Sequence, residues 1–237
     1  RNTQLHDLDD GLLKDYDDSL KNFQKEHNLT IFHLMGQHVN YKQRYRTKQA
    51  RFWASSYEDK RPELTNAQRK MLSHYDNATL YNDSIVAQIV KRFQKQDAIV
   101  IYVPDHGEEC YEENRGFICR NHSAEIDWPL AHYEFEIPFW IYCSPKYIRN
   151  HRDIYRQIRK AKDKRFMTDA LPHLLLYLAG IETPTYKEEY NILSPKYDEM
   201  RPRILKNSAD YDKLRDAHLE KIKKEESKKV KKKERRN

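Results

Sequence analysis

The chain has 237 residues, of which 38% are apolar, 34% charged and 12% aromatic. That is enough for one domain with a true core, or at most two small ones, and 17 tyrosines exclude general disorder. The longest apolar runs, 98–103 and 137–143, fall far short of the ~20 residues that span a bilayer, so no transmembrane helix is expected within these residues. No secretory signal is legible. A chain that starts at Arg1 rather than Met is expected to be a piece of something longer.

The elements are predicted as follows. Leu8, Leu12, Leu13, Tyr16, Leu20 and Phe23 recur at helical spacing and predict a helix over 8–26. Residues 29–35, Leu-Thr-Ile-Phe-His-Leu-Met, predict a strand that ends in Gly36-Gln-His38. Residues 40–63 are polar and aromatic and predict a surface excursion. Thr65 and Asn66 can cap a long helix to about Gln94, with Met71, Tyr75, Ala78, Ile85, Ile89 and Phe93 on its apolar face. Residues 98–103 are the most strand-like in the chain. Asp105-His-Gly-Glu108 follows at once, then a long loop over 110–131. A third strand is predicted over 137–143, helices over 151–160 and 167–179, and a surface wrap over 181–212. Strands alternating with helices point to an α/β fold with a mostly parallel sheet flanked by helices.

Charge is unevenly placed. Residues 213–237 hold 12 Lys and Arg against 5 Asp and Glu, the whole of the net charge of +7, so the body is neutral. Such a tail attracts phosphates or anionic headgroups, or is simply a solvated helix. The three cysteines exclude a disulfide scaffold. Cys110 and Cys119 flank one loop and can pair in an oxidising compartment, whereas Cys143 reads as a small buried hydrophobe.

In parallel sheets ligands bind at the carboxyl ends of strands. That rule selects Gly36–His38 and Asp105–Glu108, which hold two of only five glycines. Asp105 and His106 are a carboxylate and an imidazole of the kind that binds zinc, and Glu108 can orient a ligand. His38 lies past the strand end, while His33 sits inside the strand as a core histidine or a ligand-facing one. His122 lies in the loop, and His132 stands just before the third strand. A metal with several histidines on one rim can hold an anionic tetrahedral group. No Gly-rich phosphate loop and no Gly-x-Ser-x-Gly elbow occurs, so the nucleophile is missing.

Four segments together carry a resemblance. Phe32–His38 with Tyr41 and Arg44-Tyr45, His74–Asn77 with Leu80-Tyr81 and Asp83, Asp105–Glu109, and Tyr133–Trp140 resemble motifs of phosphoethanolamine transferases, members of the alkaline phosphatase/sulfatase superfamily. The resemblance covers roughly residues 5–195. It implies an alkaline phosphatase-like catalytic domain present in part, with residues 1–200 as its C-terminal part and 201–237 as a basic extension. It implies one or two zinc ions, with Asp105 and His106 as ligands. His38, His122 and Glu108 become catalytic residues, and His33 and His132 substrate-contacting ones. His122 fits the family spacing better than His132. The implied reaction moves phosphoethanolamine from phosphatidylethanolamine to a lipopolysaccharide acceptor through a threonine upstream of this chain. The implied place is the bacterial inner membrane, reached through an upstream membrane segment, with the catalytic domain facing the periplasm and no nucleic-acid partner. Two departures stand out: Val39-Asn40 follows the histidine motif where the family usually has Gly-Pro, and the 110–121 loop has its own sequence. Competing expectations are a sulfatase or phosphodiesterase of the same superfamily, and a non-catalytic anion-binding protein acting through residues 213–237.

Overall fold

The computed structural model describes residues 6–20, 27–116, 118–121 and 125–234, the side chains of 230–234 excepted. Two compact units emerge: Arg1–Val100 with Glu109–Cys119, and Ile101–Glu108 with Arg120–Asn237. Strand β1 (Ile99–Tyr102) carries the chain from one to the other.

The first unit is organised by α2 (Asn66–Phe93), as predicted from its cap. The Thr65 side chain accepts from Gln68 N, and the Gln68 side chain accepts from Thr65 N, a reciprocal cap worth about 1 kcal/mol. Ala78, Tyr81, Ile85 and Ile89 form one core with Leu13 of α1 (Asp10–Ser19). Met71 is exposed, and Leu72 takes the buried position beside it. Helix α1 is shorter than expected, and part of the predicted 8–26 span, residues 21–26, lies outside the described residues.

Residues 40–63 are mostly exposed, as expected, but three tyrosines anchor the segment. Tyr41, Tyr45 and Tyr57 are buried, because a phenol ring contributes a large apolar area once its hydroxyl finds a partner. The 74–77 segment of α2 supplies those partners. His74 Nδ1 lies 2.9 Å from Tyr45 Oη, and Asp76 accepts from the Tyr57 hydroxyl. The Tyr75 ring meets Tyr41 edge-on at 5.3 Å. The Asn77 side chain accepts from Arg51 N and Phe52 N and donates to Phe52 O. Burial, with Asp76 close by, pushes the Tyr57 hydroxyl well above its usual pKa, and burial lowers that of His74.

The strand predicted over 29–35 takes no regular secondary structure and joins no sheet among the described residues. Phe32 and Leu34 pack against the α2 core, while Leu29 and Ile31 are 77% and 79% exposed. Burial alternates over 31–34 as in a strand, yet among the described residues no other strand pairs with it. The 110–131 loop is more structured than expected. Strands β2 (Glu109–Cys110) and β3 (Ile118–Cys119) form an antiparallel pair in which Cys110 faces Ile118 and Glu109 faces Cys119. Adjacent registers point to opposite faces, and no disulfide joins Cys110 to Cys119.

The second unit also departs from prediction. Asp127 caps α3 (Trp128–Phe135) by accepting from Leu130 N, with Pro129 in the first turn. Strand β4 (Trp140–Cys143) is shorter than predicted and pairs with β1, where Tyr102 and Trp140 stack at 5.3 Å. No third strand joins this pair among the described residues, so the expected broad sheet is represented by two strands. Helices α4 (Pro145–Asn150), α5 (Arg152–Ala161) and α6 (Leu171–Leu178) follow. Ala161 and Leu174 share a core with Ile192 and Leu193. The segment expected to wrap the surface over 181–212 thus contributes core residues, and it ends in the hairpin of β5 (Ile204–Leu205) and β6 (Ala209–Asp210).

Within the basic tail, residues up to Glu234 belong to one helix, α7 (Tyr211–Glu234). Its first turns are fastened. The Tyr211 hydroxyl donates to Glu136, and Asp212 receives Arg203, Arg165 and Arg215. Trp128 stacks against both His132 and His218, with centroids 5.4 and 5.1 Å away. The Arg203 guanidinium holds the Asp212 carboxyl below its usual range. Burial, with the Glu136 hydrogen bond next, pushes Tyr211 up to about 12.

Two opposite pH limits follow for the docking of α7. Asp212 has a depressed folded-state pKa, so its stabilisation is present above the ordinary carboxylate value of about 3.9. It is lost as pH falls through the folded value. Tyr211 has a raised pKa, so its contribution is present below about 10 and lost between there and about 12. Stability measured by urea unfolding should fall at both ends. Asp212→Asn should remove the acid limb, and Tyr211→Phe should flatten the alkaline one. Unchanged limbs in these variants would assign the pH dependence elsewhere.

Candidate functional site

The Asp105–Glu108 turn follows β1 directly and is held by α3. Gly107 N donates to Glu134 O at 2.7 Å. A Cβ built on Gly107 would lie 2.2 Å from Tyr133 O, so only glycine fits this approach. Glu134 is buried, and its side chain accepts from Asn121 N at 2.6 Å, tying the segment that follows β3 to the same helix.

The turn sets the chemistry of His106. Its Nδ1 lies 2.6 Å from Gly107 O. A carbonyl oxygen only accepts, so Nδ1 is the donor here, and in the neutral ring Nε2 is the nitrogen that offers a lone pair. Nε2 lies 3.6 Å from Asp105 Oδ2, and Glu108 Oε2 stands 3.9 Å behind Nδ1. Two ligands of one tetrahedral zinc, each about 2.0 Å from the ion, are about 3.3 Å apart. The Asp105–His106 separation is close to that value, and a backbone carbonyl on the other ring nitrogen is the usual support for a ligating histidine. The residues present therefore fit a zinc ion. Among the described residues no group of three or more His, Cys, Asp and Glu converges.

Asp105 and His106 line a cavity of about 1110 Å³ in the second unit. Arg120 also lines it, with a guanidinium nitrogen 3.8 Å from Asp105 Oδ2. Arg159, Lys164 and Arg203 add further positive charge to its wall, and Phe139, Ile158 and Phe166 supply apolar surface.

The other predicted residues fall as follows. Gly36–His38 belongs to the first unit. There the carboxylate of Asp9, the residue before α1, accepts from Met35 N at 3.0 Å and from Gly36 N at 2.9 Å. Gly36 has φ +51° and turns the chain, and His38 is exposed beyond it. His33 is exposed too, not a core histidine. His132 is committed to the Trp128 stack and to Glu136, 2.9 Å from its Nδ1. His122 lies outside the described residues. Sequence reading missed Asp9 and Arg120. Asp9 reads as one more polar residue at a helix start, and Arg120 as part of a polar loop.

The sulfatase family profile matches residues 1–181. The chain belongs to the sulfatase family. Within that class it is 31% identical to phosphoethanolamine transferase EptC of Escherichia coli O18:K1:H7 (strain RS218 / NMEC) over 202 residues, 84% of this chain and 33% of the relative. It is 32% identical over 162 residues to the Kdo(2)-lipid A phosphoethanolamine 7''-transferase of E. coli K12, covering 67% of this chain and 27% of the relative. Among solved structures, the C-terminal periplasmic domain of E. coli EptC in complex with Zn superposes with a TM-score of 0.72 at 28% identity, over 90% of this chain and 60% of that one. The corresponding Campylobacter jejuni domain, at 23% identity and TM-score 0.62, shares the fold. The chain thus spans about a third of the length of these curated relatives.

Gly107→Ala should force the turn off α3. The expected cost is about 1–3 kcal/mol, typical of overpacking against backbone, read by denaturant unfolding. Zinc uptake should weaken in parallel. An unchanged midpoint and unchanged uptake would show that the turn has slack.

Proposed function

We propose that this chain is part of a zinc-dependent phosphoethanolamine transferase. The carrying observation is the Asp105–His106 pair: two donors at zinc spacing, with the imidazole tautomer set by Gly107 O, opening on a cavity with cationic walls. Residues 1–200 are read as the C-terminal part of an alkaline phosphatase-like catalytic domain with a mostly parallel sheet, and 201–237 as an extension. Support for a partial domain comes from the chain's span of about a third of its relatives' length, and from the exposed Leu29 and Ile31 and the two-stranded β1–β4 pair among the described residues.

In this reading Asp105 supplies a carboxylate oxygen and His106 its Nε2 to the metal. Bound zinc would polarise a phosphoryl oxygen. Glu108 stands 3.9 Å behind His106 Nδ1, where it can help hold the ring's orientation. Arg120 offers positive charge beside Asp105 to an incoming anion. His38 and His122 are the proposed phosphate-contacting catalytic residues, with His33 and His132 as substrate contacts. The proposed donor is phosphatidylethanolamine, and the proposed acceptor is a lipopolysaccharide, lipid A or core sugar. The proposed setting is the bacterial inner membrane, through a segment outside this chain, with the catalytic domain facing the periplasm. Relatives named for transfer to Kdo(2)-lipid A support that acceptor class.

In the parent protein, Asp105→Asn or His106→Ala should remove a zinc equivalent by elemental analysis and abolish transfer. Normal zinc in both variants would overturn the ligand assignment. His122→Ala should slow transfer by about a hundredfold, as for loss of one transition-state donor, and leave the metal bound. His132→Ala should act chiefly on stability through the Trp128 stack. The reverse order of rate losses would transfer the catalytic role to His132.

A further inference from the structure

Helix α7 leaves the body as a held rod. Its 24 residues span about 36 Å at 1.5 Å per residue. The base is fixed by Tyr211, Asp212 and the stacking of His218 on Trp128. From Leu219 to Lys229 every residue is exposed. Lys221, Lys224 and Lys228 recur three and four residues apart and so share one face. The sequence repeats the step at Lys231 and Lys232. Glu220 pairs with Lys224 at 3.7 Å, and Glu225 stands at the edge of the stripe. Residues 1–212 are net neutral, so the whole excess of +7 falls on 213–237, this helix and the residues just after it.

The geometry points to α7 as a docking surface for an anionic lipid bilayer, lying flat by its lysine stripe. This helix lies beyond the 1–181 family match, so the surface is additional to the proposed zinc site. Stretch 219–229 contains no Arg and no aromatic residue. It therefore lacks the bidentate and stacking contacts by which nucleic acids are held, while lysines on a rod respond to the surface potential of acidic lipids. The choice of a lipid surface also rests on the transferase reading, since that reaction works on lipids.

The test is flotation of the full chain with phosphatidylcholine vesicles, with and without phosphatidylglycerol, at low and high salt. Binding is expected only to the anionic vesicles, and it should fade at high salt. Replacing Lys221, Lys224 and Lys228 together by Gln should weaken it on the order of a hundredfold. Gln at exposed Lys48, Lys60 and Lys95 should leave it within a few-fold. Circular dichroism confirms that the variants keep their helix. Absence of binding to anionic vesicles, or equal binding by both triple variants, overturns the proposal. Tighter binding to double-stranded DNA than to the anionic vesicles overturns the lipid assignment. Zinc uptake through Asp105, measured on the same samples, reports on the transferase reading separately.

Discussion

The backbone contact between Gly107 and α3 is the constraint on which the candidate site depends. It is a single hydrogen bond, from Gly107 N to Glu134 O, made at a distance that no side chain on residue 107 would permit. Because the turn is held there, Gly107 O meets the ring of the preceding histidine and selects its tautomer. The lone pair of Nε2 then falls on the side of the Asp105 carboxylate. Adjacent residues in a regular strand point to opposite faces and cannot share an ion. Ending β1 at Tyr102 and pinning the next turn to a helix removes that prohibition.

A second scaffold operates in the first unit. The segment 74–77 of α2 resembles a family motif, and its side chains fasten the 41–57 segment to the helix. His74, Tyr75, Asp76 and Asn77 each meet a different part of the 41–57 segment: a hydroxyl, a ring, a second hydroxyl and two amides. Such polar pegs are costly to bury unless all are satisfied, and that mutual requirement makes the stretch specific. The Asp9 carboxylate plays the comparable part for Gly36–His38, holding two amides that would otherwise lack a strand partner.

The charge distribution gains meaning from the fold. Asp212 draws three arginines to the root of α7, so the end of the helix that touches the body is electrostatically satisfied. The positive excess lies further along the chain, where residues 219–229 are exposed. The same total charge spread over a globule would act weakly, because screening hides it beyond about 10 Å.

Much of this was legible in the residues themselves. Asp105, His106 and Glu108 are legible as candidates because a metal would need such side chains, and Thr65 is recognisable because a helix start demands an acceptor. Helix α2, β1 and the neutrality of the body followed from local pattern and composition. What escaped was set by partners far away in the chain. Residues 40–63 look polar, and their tyrosines become core only because α2 offers acceptors some twenty to thirty positions later. Residues 29–35 have every local mark of a strand, but a strand exists only when another backbone lies beside it. His132 and His122 are similar letters in similar surroundings, and the Trp128 stack that engages His132 is assembled from α3 and α7. The sequence by itself determined which chemistry is available and where the charge lies. Tertiary structure alone decided which polar groups are paired, which rings are buried and how the Asp–His turn is aimed, because hydrogen bonding and burial depend on neighbours that local periodicity does not encode.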